Sequence, residues 1–124
     1  MNKQPRVFLK DILDSIEEIE SYFVAKPKTY NRFIEETVLR RAIERNLEII
    51  GEALNGLIKI EPNIPISDKR KIIASRNKII HGYDSVNPEQ IWRMVVVGIP
   101  VLKKEVEELL EKGKEQDRGI GINL

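Results

Sequence analysis

From Arg6 onward the apolar positions Leu9, Ile12, Leu13, Ile16, Ile19 and Phe23 recur at spacings of three and four, which predicts one face of an α-helix. Asp11, Asp14, Glu17 and Glu18 mostly take the other side. The stretch Ala25 to Thr29, with Pro27 between lysines, predicts a break. The chain from about Asn31 to Ile60 then reads as one long helix, roughly 45 Å at 1.5 Å per residue. Its apolar residues, from Phe33 through Ile43, Leu47, Ile50, Leu54 and Leu57 to Ile58, cover more than one stripe. Such a helix is expected to be covered on two sides, in the middle of a bundle or at a dimer seam. Pro62 and Pro65 predict an extended turn, Ser67 or Asp68 a cap, and Lys69 to about Ile80 a short helix that Gly82 is placed to end. Asn87-Pro88-Glu89-Gln90 combines an N-cap residue, Pro at N1 and Gln at N3, so a further helix starts there and runs through Ile91, Met94, Val95, Leu102, Val106 and Leu109. Pro100 cannot donate to the Val96 carbonyl, which predicts a kink rather than a stop. Beyond Gly113 periodicity is lost, as in a frayed tail. No segment alternates with period two for long, and no repeat is present. The expectation is an all-α, up-and-down bundle of four or five helices, one domain over residues 1–112 with a flexible tail over 113–124.

Composition narrows the chemistry. One chain of 124 residues supports a single core. Lys and Arg number 21 against 20 Asp and Glu, so a net charge of +1 gives no bulk field for a polyanion, and any nucleic-acid contact needs a local patch. With no Cys and one His, disulfides, thiol nucleophiles and a zinc site within one chain are excluded as expectations; no metal and no cofactor are predicted. No leader-like start and no membrane-length apolar run are seen, so a cytoplasmic location without membrane attachment is expected. Phosphate-loop, dinucleotide, nucleophile-elbow and zincin patterns are absent. Glu52, the one acidic residue in an apolar stretch, reads as a side chain at the edge of the stripe.

One segment stands apart, Arg76-Asn77-Lys78-Ile79-Ile80-His81-Gly82-Tyr83. Arg76 lies four residues from both Ile72 and Ile80, so on a helix its guanidinium follows the apolar stripe toward the interior or a partner chain. A buried unpaired charge is costly, so Arg76 needs a partner or lines a cleft. His81 is about 140° away on a straight helix at 3.6 residues per turn, and the two do not meet. Either a turn at Gly82 frees the imidazole, or a two-fold dimer brings two Arg76 and two His81 around one axis. Lys69, Arg70, Lys71, Arg76 and Lys78, against Asp68 alone, form the most basic stretch and a plausible anion site. Metal-free RNA cleavage needs a base for the 2′-hydroxyl, an acid for the leaving 5′-oxygen and a cation for the charge developing on phosphorus. Imidazole serves as acid or base near neutral pH, and guanidinium matches phosphate oxygens. The same residues also fit a structural role, with His81 at a favourable helix end and Tyr83 as a core aromatic.

Arg76 to Tyr83 matches the R-x4-H-x-Y motif of the HEPN superfamily. Together with Arg45-Asn-Leu-Glu-Ile-Ile-Gly-Glu-Ala53 and the opening Leu9-Lys-Asp-Ile-Leu13, the chain up to about Leu110 resembles the HepT-like toxin branch. The resemblance implies a metal-independent endoribonuclease toxin of a type VII-like toxin-antitoxin pair, working on RNA as a homodimer with its site at the interface. Carried over by position, Arg76 would bind the scissile phosphate, His81 act as acid and base, and Asn77 orient them. Lys69, Arg70, Lys71 and Lys78 of the basic stretch are the RNA-binding candidates. Tyr83 matches the tyrosine modified with AMP by the cognate MntA-type nucleotidyltransferase antitoxin, which would block RNA by charge and bulk. Where many relatives carry an aromatic before the third helix, this chain has Ile66. An alternative of another class is a non-catalytic nucleotide- or RNA-binding subunit of such a nucleotidyltransferase, and a third is a helical dimer without chemistry.

Overall fold

The computed structural model describes residues 3–81 and 87–122, with side chains over 4–81 and 87–114. Among the described residues all regular structure is helical: α1 (Lys3–Ser21), α2 (Tyr30–Glu35), α3 (Thr37–Ile60), α4 (Lys69–His81), α5 (Pro88–Arg93), a π-helical turn (Met94–Gly98) and α6 (Ile99–Ile122). Since α2 is a short bent-off piece and α5 runs through the π turn into α6, four rods remain, an all-α bundle of HEPN-like kind. Helix α3 is the central rod, packed on α1 on one side and α4 on the other, while α1 also carries α6. The multi-striped face read from the sequence is thus used on both sides.

Leu9, Ile12, Ile16 and Ile19 of α1 meet Ile43, Leu47, Ile50, Leu54 and Leu57 of α3 in one core closed by Val95, Ile99, Leu102 and Val106, all almost fully buried. Ile66, at the position of the expected aromatic, is buried in the same core. Ser15 and Asn46 are polar residues buried among them, and the Asn46 Nδ2 donates to the Tyr22 hydroxyl at 2.9 Å and the Ala42 carbonyl at 3.0 Å, while its Oδ1 has no partner.

The single helix expected over Asn31–Ile60 is two. Glu36 is extended (φ −94°, ψ 95°) between α2 and α3. The break is held by arginine bonds to a carboxylate and to backbone carbonyls within ten residues along the chain. Arg32 pairs with Glu36 at 2.7 Å and donates to the Tyr22 carbonyl at 3.1 Å, and Arg40 donates to the Ile34 carbonyl at 3.0 Å. The bend lays Phe33 against Trp92, centroids 5.3 Å apart, with Phe23 edge-on to the same indole at 5.9 Å. Burying that aromatic cluster outweighs one lost helical turn. Thr29 caps α2, accepting from Arg32 N–H.

At the other rods the start of α5 is as read: the Asn87 side chain accepts from Glu89 N–H at 2.9 Å and Pro88 opens the helix. Just before Pro100 the helix passes through the π turn, in which Ile99 N–H reaches back to the Met94 carbonyl. The backbone of α6 is helical to Ile122, past Gly113, where the sequence reads as a tail; adding turns to an existing helix needs no new nucleus. Ser67 does not cap α4. Its N–H and hydroxyl hold the Glu105 carboxylate of α6 at 2.8–3.1 Å, and Asp68, at φ 56°, gives its carbonyl to Ile72 N–H instead. Gly82 and Tyr83 lie outside the described residues. No helix among those described is long and apolar enough to cross a membrane.

Candidate active site

Helix α4 differs from its neighbours in what it buries. Only Ile72 is buried, and the basic residues spread over the rest of the surface. Ile73 and Ile79 pack partly against the core, which fixes the face turned to α3. Arg76 lies on that same face, with its stem laid on the α3 backbone at Gly51. A Cβ at Gly51 would fall 2.4 Å from Arg76 Cβ and 2.9 Å from its Cγ. The missing side chain makes room for the stem.

The Arg76 guanidinium is held at one corner, where Nη1 donates to the Asn77 Oδ1 at 2.8 Å. Its Nε is buried with no hydrogen-bond partner, and among the described residues no carboxylate pairs with it. A half-buried cation balanced by a neutral amide retains its demand for an anion, since leaving a buried donor unmet costs about 1–3 kcal/mol. Arg76 and Asn77 are thus brought together. His81 is the last residue of α4 and exposed. Because the helix extends through it, the angle of about 140° from Arg76 stands within one chain.

The remaining basic candidates divide. Arg70, Lys71 and Lys78 are exposed on α4, and Lys71 and Lys78, seven apart, share a face. Lys69 is committed elsewhere: its Nζ donates to the carbonyls of Pro62 at 3.0 Å and Ile64 at 3.1 Å, tying the turn between α3 and α4 to the start of α4. The carboxylate Glu52 is exposed, as its position at the stripe edge implied. Sequence reasoning did not single out the mechanical role of Gly51. The available signal was a glycine inside a helical pattern, beside Ile49 and Ile50, which points to a packing reason.

A model of the family described as "Ribonuclease HepT-like" matches residues 12–109. The chain belongs to the HepT-like ribonuclease family. The matched span contains both Gly51 and the whole of α4. A "Probable ribonuclease HepT" of Thermococcus cleftensis is 33% identical over 113 residues, 88% of this chain and 98% of that one. A "Putative RNase" of Caldanaerobacter subterraneus subsp. tengcongensis is 38% identical over 116 residues, covering 90% and 99% of the two chains. Another of that name from Methanocaldococcus jannaschii is 32% identical over 119 residues, covering 93% and 94%. No solved structure matches the chain significantly.

Proposed function

We propose that this HepT-like chain is the toxin of a type VII-like toxin-antitoxin pair and cleaves RNA without a metal, at a site composed from two copies of the chain. The observation that carries the proposal is Arg76: a guanidinium seated on Gly51, steadied by Asn77 and without a carboxylate partner among the described residues, on the most basic helix of a chain whose relatives are named as ribonucleases. Arg76 binds the scissile phosphate and meets the negative charge that grows on its oxygens. One His81 imidazole takes the 2′-hydroxyl proton as that oxygen attacks phosphorus, and a second protonates the departing 5′-oxygen. The P–O5′ bond breaks, leaving a 2′,3′-cyclic phosphate and a 5′-hydroxyl.

Geometry and stoichiometry support two copies. One chain holds one histidine, about 140° from its own Arg76, whereas a two-fold axis would supply two imidazoles and two guanidinium groups to one site. Arg70, Lys71 and Lys78 extend the basic surface along which the RNA backbone lies. AMP transfer to Tyr83 by an MntA-type nucleotidyltransferase, two residues beyond His81, closes that surface by charge and bulk.

The test is cleavage of RNA by purified wild type and His81→Ala in EDTA, with product ends identified. Cyclic phosphate or its hydrolysis product from the wild type, lost in the mutant, is the expected result. Intact RNA with a folded protein whose mass shows no modification of Tyr83 refutes the activity and favours a binding subunit. Tyr83→Phe is expected to cleave normally yet escape neutralisation by the nucleotidyltransferase; a Tyr83→Phe protein that is still fully neutralised refutes the assignment of Tyr83.

A further inference from the structure

Two glycines of α3 face different kinds of neighbour. A Cβ at Gly56 would meet Cε1 and Cζ of Phe8 at 2.8 and 2.9 Å, the far end of a ring that can turn aside. A Cβ at Gly51 would meet Arg76 Cβ at 2.4 Å and Cγ at 2.9 Å, with the Ile72 carbonyl oxygen at 3.5 Å. No rotamer of Arg76 relieves the closest of these contacts, because a Cβ is fixed by its backbone. Only a parting of α3 and α4 does.

That parting is not uniform along α4. Its start is anchored by Lys69 on the Pro62 and Ile64 carbonyls, by Ser67 on Glu105, and by buried Ile72. Past Ile72 no residue of the helix is fully buried. A methyl group at position 51 therefore acts as a wedge under the half of α4 that carries Arg76, Asn77 and His81, with the anchored end as the pivot. We infer that Gly51 is a positioning residue for RNA cleavage: its bare Cα sets the approach of α4 to α3 and, through it, where the Arg76 guanidinium stands. The inference rests on the proposal that Arg76 binds the scissile phosphate. Displacements of about 1 Å at a reacting centre cost about a hundredfold in rate.

The test compares Gly51→Ala, Gly56→Ala, Arg76→Ala and the double variant Gly51→Ala/Arg76→Ala in single-turnover RNA cleavage, each well below its own melting temperature. Gly51→Ala is expected to slow the cleavage step by about 10–100-fold with RNA affinity changed much less. Gly56→Ala stays within about threefold of wild type, since its clash falls on a movable ring far from α4. The double variant is slower than Arg76→Ala by clearly less than the Gly51→Ala factor, because the part of that loss that acts through the guanidinium is already gone. A folded Gly51→Ala that cleaves at the wild-type rate overturns the inference, as does a double variant slowed by both factors multiplied. Arg76→Ala cleaving normally overturns the proposed site itself and the inference with it; an inactive Arg76→Ala beside a normal Gly51→Ala overturns the inference alone. Should Gly51→Ala not fold, Gly51→Ala/Arg76→Gly removes the opposing Cβ, and failure of that pair to fold with a melting temperature at least equal to that of Arg76→Gly alone overturns the wedge.

Discussion

Helices α3 and α4 lie side by side, yet their residues are put to opposite uses. Helix α3 buries nine of its residues between two neighbours, among them Ile43, Leu47, Ile50, Leu54 and Leu57; α4 buries Ile72 and rests chiefly on α3. The first supplies the apolar area that holds the bundle together. The second is held by a few anchors, and most of its surface is free to carry cations. The difference teaches where the candidate chemistry can reside without loss of stability: on a rod that borrows its position from a neighbour, at a contact where that neighbour has no side chain.

That contrast can be broken most severely at the end of α4 that carries the proposed site. Arg76→Ala is expected to lower cleavage by about a thousandfold while the melting temperature moves little, because lost packing on Gly51 is offset by removal of a buried, unpartnered Nε. A large fall in melting temperature with cleavage unchanged would make Arg76 a structural residue. The reverse pattern is expected in α3. Leu54→Ala, at a fully buried position, should cost about 2–5 kcal/mol in chemical unfolding. Cleavage by the fraction still folded should be unaltered, and an unchanged unfolding midpoint would contradict the core assignment.

Smaller effects sharpen the boundary between the two rods. Glu105→Ala frees the Ser67 N–H and hydroxyl and is expected to cost about 1 kcal/mol, read as a lower unfolding midpoint. The exposed lysines should act on RNA alone. Lys71→Ala and Lys78→Ala are each expected to lower the salt dependence of RNA binding by about one in log–log slope, with thermal unfolding unchanged.

Smallest is a pH effect on the outer side of α3. Burial lifts the Glu44 carboxyl above its ordinary value of 4.5, against the lowering pull of Arg40 and Arg41. A raised acid binds its proton more tightly folded than unfolded, so its contribution to stability falls as pH rises through that range. Glu44→Gln should therefore melt slightly higher than wild type at pH 7, by less than about 3 °C, and the gain should vanish toward pH 4. A gain that grows on acidification would reverse the sign and the cause.

Helix identity and the two-sided burial of α3 were legible from periodicity, because apolar spacing reports directly which faces leave water. The Asn87-Pro88 start was legible because capping is local hydrogen bonding. The break at Glu36 was not, since Arg32 and Arg40 stabilise it by reaching carbonyls of Tyr22 and Ile34, and its gain is an aromatic contact with Trp92 some sixty positions away in the chain. Lys69 read as one more cation of a basic stretch, and only the folded turn shows its ammonium spent on two carbonyls.

The sequence by itself determined an all-α chain of the HepT-like family and which helix carries Arg76 and His81, because helical period and motif are properties of neighbours in the chain. Tertiary structure alone decided that Arg76 sits on Gly51, twenty-five positions earlier, and that its guanidinium is met by Asn77 and, among the described residues, by no carboxylate. Distance between helices is set by the side chains that pack between them, and at Gly51 it is set by the absence of one.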